Sequence, residues 1–309
     1  MRKLILALVC ASLTTIAPSA MAWWGYTKTK NPIVLVHGVT GFNTIGGLIN
    51  YFHTIPYNLE RSGAKVYSAS VSFVNTSEER GQQLASYISG LNASKVNIMA
   101  HSQGAPTARV TASLIPNKIA SITSINGVNY GSKVADVLRG AIQPGSNVEG
   151  GVNAIANAVG SIVNKLSSSN NPQNGVGALE TLTTQGTIAL NNALGWKGVN
   201  RTYCQGSSEN VSISGNNIKM FSWTGDEVWT NVLDVSDAFL LITSAAFNRG
   251  EKNDGLVAAC ATKMGKVIST GYSMNHIDAI NHLFGVRSVW TNPVSLYRSQ
   301  ANRLKNKGL

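Results

Sequence analysis

The sequence predicts an α/β protein, a mostly parallel sheet covered by helices. Three observations predict it. From Pro32 to Ile125, short apolar runs rich in β-branched residues alternate with stretches of helical spacing. The first of them, Ile33–Val36, is a continuous, mainly β-branched run, as a strand buried on both faces is. The chain has 309 residues, 43% hydrophobic and 13% charged, enough to build one large core. Intrinsic disorder, which needs low hydrophobicity and high charge, is excluded. The length and three cysteines exclude a small disulfide scaffold. The formal net charge is +11, but Lys and Arg are scattered, and no basic helix, zinc spacing or aromatic RNA motif appears. No nucleic acid is expected as a partner.

The first element is a leader. Arg2 and Lys3 precede an apolar run from Leu4 to about Ile16, and Ala20-Met21-Ala22 follows. A charged region, a short apolar region and an A-x-A site define a secretory signal peptide over residues 1–22, cleaved after Ala22. The run is too short to span a bilayer. Cleavage removes two basic residues and Cys10, leaving a charge of +9 and one domain over residues 23–309. Cys204 and Cys260 remain, and an even pair in an exported protein reads as one disulfide. Closing a loop of that length contributes about 4 kcal/mol by chain entropy.

Ile33–Val36 reads as the first buried strand, and Lys65–Phe73 as the second. Glu78–Leu91 carries Leu84, Ile88 and Leu91 at helical spacing behind an acidic first turn. Val96–Ala100 reads as a strand, Gly104–Leu114 as a helix and Ile119–Ile125 as a strand. This β-α-β-α-β order requires parallel pairing with helical crossovers. Residues 144–178 are rich in Gly, Ser and Asn. Inside them Val152, Ile155, Ala156, Val159, Ile162, Val163 and Leu166 recur at helical spacing, an amphipathic helix between polar flanks. Ile218–Trp223 and Val267–Met274 read as strands, and Ser295–Lys305 as a basic C-terminal helix.

The strongest local signal is Val96-Asn-Ile-Met-Ala100-His101-Ser102-Gln103-Gly104. An apolar strand enters a small-x-Ser-x-Gly turn and leaves as a helix. A nucleophilic Ser at such a turn needs small neighbours two residues away on either side. The helix that follows aims its first N–H groups at a developing oxyanion. Ala100 stands where the strict motif has Gly, and meets the same steric need. Upstream, Pro32–Val36 ends in His37-Gly38-Val39, so Val39 and Gln103 are the candidate oxyanion-hole N–H donors. His37 and His101 are expected to brace their loops by hydrogen bonding.

On this fold the triad order is Ser, acid, His. His276 and His282 follow Ser102. His276 lies in a loop after a strand, whereas His282 falls in an apparent helix start. The acid stays open among eleven carboxylates: Asp136, Glu149, Glu180, Glu209, Asp226, Glu227, Asp234, Asp237, Glu251, Asp254 and Asp278. Asp254, in the turn Asn253-Asp-Gly255, can present a carboxylate to a His, although a plain turn Asp reads the same way.

Taken together, Pro32–Gly41, Ala100–Gly104, Asn253–Val257 with Cys260, Met274–Asp278 and Pro293–Lys305 resemble bacterial true lipases of the Pseudomonas and Burkholderia type. The resemblance implies an α/β-hydrolase fold with helices on both faces and a helical lid, fitting the segment around 150–168. It implies Ser102 as nucleophile, His276 as base, Asp254 as orienting acid and a Cys204–Cys260 disulfide. It also implies one structural Ca2+, held by Asp234, Asp278 and the backbone carbonyls of His282 and Val286. His282 stands where relatives often have Gln. A secreted, monomeric triacylglycerol lipase is expected, acting at an oil–water interface and dependent on a periplasmic lipase-specific foldase.

Overall fold

The computed structural model describes residues 25–39, 44–45, 49–142, 174–282 and 284–309. The leader over residues 1–22 and the amphipathic stretch around 150–168 lie outside the described residues.

A seven-stranded sheet forms the centre. Its strands are β1 (Ile33–Val36), β4 (Val66–Ser68), β5 (Val96–His101), β6 (Ile119–Ile125), β7 (Asn210–Ile213), β8 (Asn216–Gly225) and β9 (Lys266–Tyr272). The order is β4-β1-β5-β6-β8-β7, with β9 also paired to β8. Every pairing is parallel except β7 with β8. Two short antiparallel strands, β2 (Thr44–Ile45) and β3 (Ile49–Asn50), form a separate ribbon.

Alternating side chains of the central strands enter two cores, one on each face of the sheet. Val34, Val36, Ile98 and Ile122 enter one core with Leu84 and Ile88 of α2 (Ser77–Ser89) and Ala108 and Ala112 of α3 (Gly104–Leu114). Ile33, Leu35 and Met99 enter the opposite core with Ile55 and Leu59 of α1 (Ile55–Glu60) and Tyr297 and Leu304 of α8 (Pro293–Asn306). Helices therefore cover both faces, as expected.

The expected strand Lys65–Phe73 is shorter than its sequence suggests. Only Val66–Ser68 pair with β1. Beyond Ala69 the backbone leaves the ladder for side chains: Val71 N donates to His37 Nε2 at 3.5 Å and Ser72 N to Gln83 Oε1 at 2.8 Å. The last strand likewise ends at Tyr272, and the chain turns back so that Met274 N donates to Tyr272 O at 2.7 Å. Four further helices line the site end of the sheet: α4 (Lys133–Ile142), α5 (Gly175–Leu182), α6 (Thr184–Ala193) and α7 (Val235–Ser244). The start of α5 takes in residues 175–178 of the Gly/Ser/Asn-rich region, with Asn174 as its N-cap. His282 is not at a helix start. It sits in a turn after the short 3-10 segment Asp278–Ile280, where Asn281 adopts a positive φ of 61°. Cys204 and Cys260 form a disulfide with their Cα atoms 4.3 Å apart.

Candidate active site

Strand ends build the site. β1 runs into His37-Gly38-Val39, β5 into Ser102, and β9 into the loop of His276, all at the carboxyl edge of the parallel sheet. Ligand sites of open α/β sheets lie at that edge.

Ser102 has φ of 57°, a left-handed conformation disfavoured for a residue with a Cβ. Its backbone is over-determined: its N–H donates to Ile125 O at 3.0 Å, and its carbonyl accepts from Ala105 N and Val128 N. Strain of this kind costs on the order of 1–3 kcal/mol and persists only when the surroundings enforce it. Here it turns the hydroxyl out of the sheet. Gly104 cannot carry a side chain, since a Cβ there would lie 2.5 Å from Val36 O. Gly38 is equally constrained, because a Cβ would lie 2.6 Å from Ser102 Cβ.

His276 Nδ1 and Asp254 Oδ2 are 2.8 Å apart, both buried. Asp254 Oδ1 accepts from Leu256 N at 3.0 Å and Val257 N at 2.7 Å, and Oδ2 also accepts from Asn126 Nδ2 at 2.7 Å. Three donors besides the imidazole thus hold this carboxylate. The Asp254 carbonyl accepts from His276 N at 2.9 Å, so the pair is joined through backbone as well. Of the ten of these carboxylates among the described residues, Asp254 is the one hydrogen-bonded to the His276 ring.

Val39, Ser102 and His276 face one cavity of about 380 Å3, walled by apolar side chains such as Leu138, Leu179, Phe239 and Leu256. Gln103 starts the next helix with its side chain turned aside, Nε2 donating to Asn75 O at 2.8 Å. Among the described residues, no protein acceptor engages the Val39 or Gln103 N–H.

Three buried residues around this site were not foreseen. Arg80 lies beneath the Val39 loop and has no carboxylate partner among the described residues; its Nη2 donates to His37 O at 2.5 Å and its Nη1 to Gly38 O at 3.1 Å. Burial lowers its pKa to about 9. Burial, and secondarily the Arg80 charge, push His37 down to about 3, so its ring is neutral. Tyr51 and Asn126 are the other two. Tyr51 bonds both Gly38 N and His101. Each of the three reaches its site partners, Gly38, His101, His37 or Asp254, across a long sequence separation, and no local pattern marks it. His37 and His101 do brace their loops: His37 Nδ1 bonds Gly38 O at 2.9 Å and His101 Nε2 bonds His276 O at 3.0 Å.

The four expected metal-ligand positions lie on adjacent loops. Asp234 and Asp278 are buried, and each carries one carboxylate oxygen, Asp234 Oδ2 and Asp278 Oδ1, with no hydrogen-bond partner among the described residues. Burial first, then the Asp234 charge, raise the Asp278 pKa to about 7. Burial also raises Asp234. Two buried carboxylates that repel each other and point bare oxygens suit a hard divalent cation. Among the described residues there is no cluster of three or more His, Cys, Asp or Glu, so backbone carbonyls would complete any shell. The His282 ring faces His53 and Phe284.

Comparison with known proteins agrees with this architecture. The family profile described as the alpha/beta hydrolase fold matches residues 31–182. A triacylglycerol lipase of Vibrio cholerae is 44% identical over 94% of this chain and 92% of its own length. Those of Burkholderia plantarii and Pseudomonas fragi are 34% and 37% identical, covering 97% and 91% of this chain and 93% and 98% of their own. The crystal structure of a mature Bacillus licheniformis lipase superposes with a TM-score of 0.61 at 15% identity, covering 90% of this chain and 93% of its own, which speaks for the fold. The site and fold define a carboxylic ester hydrolase of the α/β-hydrolase class. Within that class, the chain belongs to the bacterial triacylglycerol lipase family.

Proposed function

We propose that this chain is a secreted lipase that hydrolyses triacylglycerols through Ser102, His276 and Asp254. The observation that carries the reading is the His276–Asp254 pair opening onto the same apolar cavity as the strained Ser102. Ser102 Oγ attacks the ester carbonyl carbon while His276 Nε2 takes its proton. Asp254 holds Nδ1–H, fixing the tautomer and stabilising the imidazolium. The Val39 and Gln103 N–H groups receive the oxyanion. Collapse expels the alcohol, protonated by His276, and leaves an acyl-serine. Water, deprotonated by the same imidazole, then releases the fatty acid.

The cavity walls suit an acyl chain and offer little to a polar substrate. An apolar rim residue supports a water-insoluble substrate: Val235, 75% exposed, lines the cavity, and Val232 and Leu233, just before it in the chain, are each at least 77% exposed. Exposed apolar patches of this kind mark interaction surfaces. The amphipathic pattern at 150–168 suits a lid over that rim that opens at an interface. Export through the periplasm with the help of a foldase rests on the leader and on family likeness, and the disulfide fits an oxidising compartment.

A structural Ca2+ fits at Asp234 and Asp278, with the His282 and Val286 carbonyls completing the shell. Such an ion would neutralise two buried charges, those of Asp234 before α7 and of Asp278 after His276. The bonds of Asp278 to Asn275 N at 3.2 Å and Ser288 N at 3.4 Å then fix the chain next to the imidazole.

Hydrolysis of a tributyrin emulsion against soluble p-nitrophenyl butyrate tests the reading. A lipase gains rate once droplets form. An enzyme equally active above and below the solubility limit would be a soluble-ester esterase.

A further inference from the structure

We propose that Tyr51 is a positioning residue whose hydroxyl ties the oxyanion loop to the loop of His276 through His101. This deepens the function proposed above and rests on it. The chain of bonds is continuous. Gly38 N donates to Tyr51 Oη at 3.1 Å, Tyr51 Oη meets His101 Nδ1 at 2.7 Å, and His101 Nε2 meets His276 O at 3.0 Å.

Its direction is forced by its ends. A backbone N–H only donates and a carbonyl only accepts. His101 Nε2 must therefore carry the proton that bonds His276 O. The ring is fully buried and its pKa is held well below the usual value by burial and by His276, so it is neutral and Nδ1 is an acceptor. The Tyr51 hydroxyl must then donate to His101 while accepting from Gly38. Its single proton is committed. Although Tyr51 lines the cavity, that proton is not available to a substrate oxygen. The hydroxyl acts through the groups it holds.

Those groups are the ones whose relative placement sets the rate. Gly38 precedes Val39, the oxyanion donor. A Cβ on Gly38 would fall 2.6 Å from Ser102 Cβ and 3.0 Å from Tyr51 Oη, so loop, nucleophile and phenol are in contact. The far end of the chain holds the backbone of the base, and the His101 and His276 rings lie 4.6 Å apart between centroids. Oxyanion donor, nucleophile and base are thereby referenced to one another without water. Misplacement by about 1 Å in such an arrangement can cost on the order of 100-fold in rate.

The test is Y51F, assayed on soluble p-nitrophenyl butyrate so that interfacial effects drop out. The expected result is a kcat about 10- to 100-fold lower with KM within about twofold of wild type. The Ki of an alkyl boronate, which mimics the tetrahedral adduct, should rise by the same factor, and that of an unreactive alkyl amide should not change. H101Q, which can still donate to His276 O and accept from Tyr51, should keep several-fold more activity than H101L. If Y51F does not fold, this pair decides on the same readouts. A Y51F kcat within twofold of wild type overturns the proposal. So does a raised KM at constant kcat, which would put Tyr51 on the substrate, and so does a lowered Tm with boronate affinity intact. S102A is run in parallel. An inactive S102A beside an unimpaired Y51F removes the positioning role alone; a fully active S102A removes the nucleophile and with it the whole reading.

Discussion

Asp254 Oδ2 lies 2.8 Å from His276 Nδ1, across two loops that come together only in the folded chain. Three further donors immobilise that carboxylate. D254N keeps an oxygen able to accept the Leu256 and Val257 N–H groups but turns a donor or a weaker acceptor to the imidazole. The expected result is a kcat lower by about 10⁴-fold with little change in KM, as loss of tautomer control costs in such triads. Steady-state kinetics together with a melting curve check it; an effect below tenfold would mean that another group orients His276.

Arg80 donates to both carbonyls just before Val39, the proposed oxyanion donor. R80M leaves the buried His37 and Gly38 carbonyls without their cationic donor. Gly38 O keeps His37 Nδ1 as a partner, so the cost falls mainly on the His37 carbonyl, and urea unfolding should show a loss of roughly 1–3 kcal/mol. The kcat should fall as well, because Val39 follows directly. Full activity in R80M would show that the loop holds itself.

Acid stability follows from His37. Its folded pKa of about 3 lies below its ordinary 6.5, so the neutral ring is favoured in the folded state. That contribution is present above about pH 6.5 and is lost as pH falls from there toward 3. Buried, neutral His101 adds in the same direction. Melting temperatures from pH 8 to 4, at saturating calcium, should decline below about pH 6.5, and less steeply in H37Q. Identical slopes for wild type and H37Q would count against this assignment.

The carboxylate pair works with the opposite sign. The Asp278 pKa is raised from 3.8 to about 7, so without a cation the folded state is favoured at low pH and loses stability as pH rises from about 4 through 7. A cation at the proposed site would offset that loss. At a hundredfold excess over its Kd, it should raise Tm by roughly 5–10 °C at pH 8 and by much less at pH 4. D278N should lose the calcium response and melt higher than chelated wild type at pH 8. A wild-type Tm that is the same in calcium and chelator would refute the ion site.

Much of this architecture was legible in the sequence. β1, α3 and β6 have the predicted bounds because each is a continuous buried run with clear punctuation. The Ser102 turn was legible because its steric needs are local. Asp254 was not singled out by the residues alone, for ten other carboxylates follow Ser102 or flank it equally well, and only the family pattern chose among them. Tyr51, Arg80 and Asn126 were invisible for a physical reason: the site groups they hold, Gly38, His101, His37 and Asp254, lie 13 to 128 residues away. The second strand was read too long because Ala69–Phe73 is strand-like in composition, while its backbone is satisfied by His37 and Gln83 side chains. α7 escaped because its apolar residues do not keep to one face: Leu240 is buried while Leu241 and Ile242 are exposed.

The most direct test of the central claim is covalent capture. A fluorophosphonate probe incubated with the folded enzyme, followed by digestion and mass mapping, should place one adduct on Ser102 and abolish ester hydrolysis in step with labelling. S102A should take up no probe and hydrolyse neither soluble nor emulsified ester. Labelling elsewhere, or an S102A variant that keeps wild-type turnover, would contradict the account.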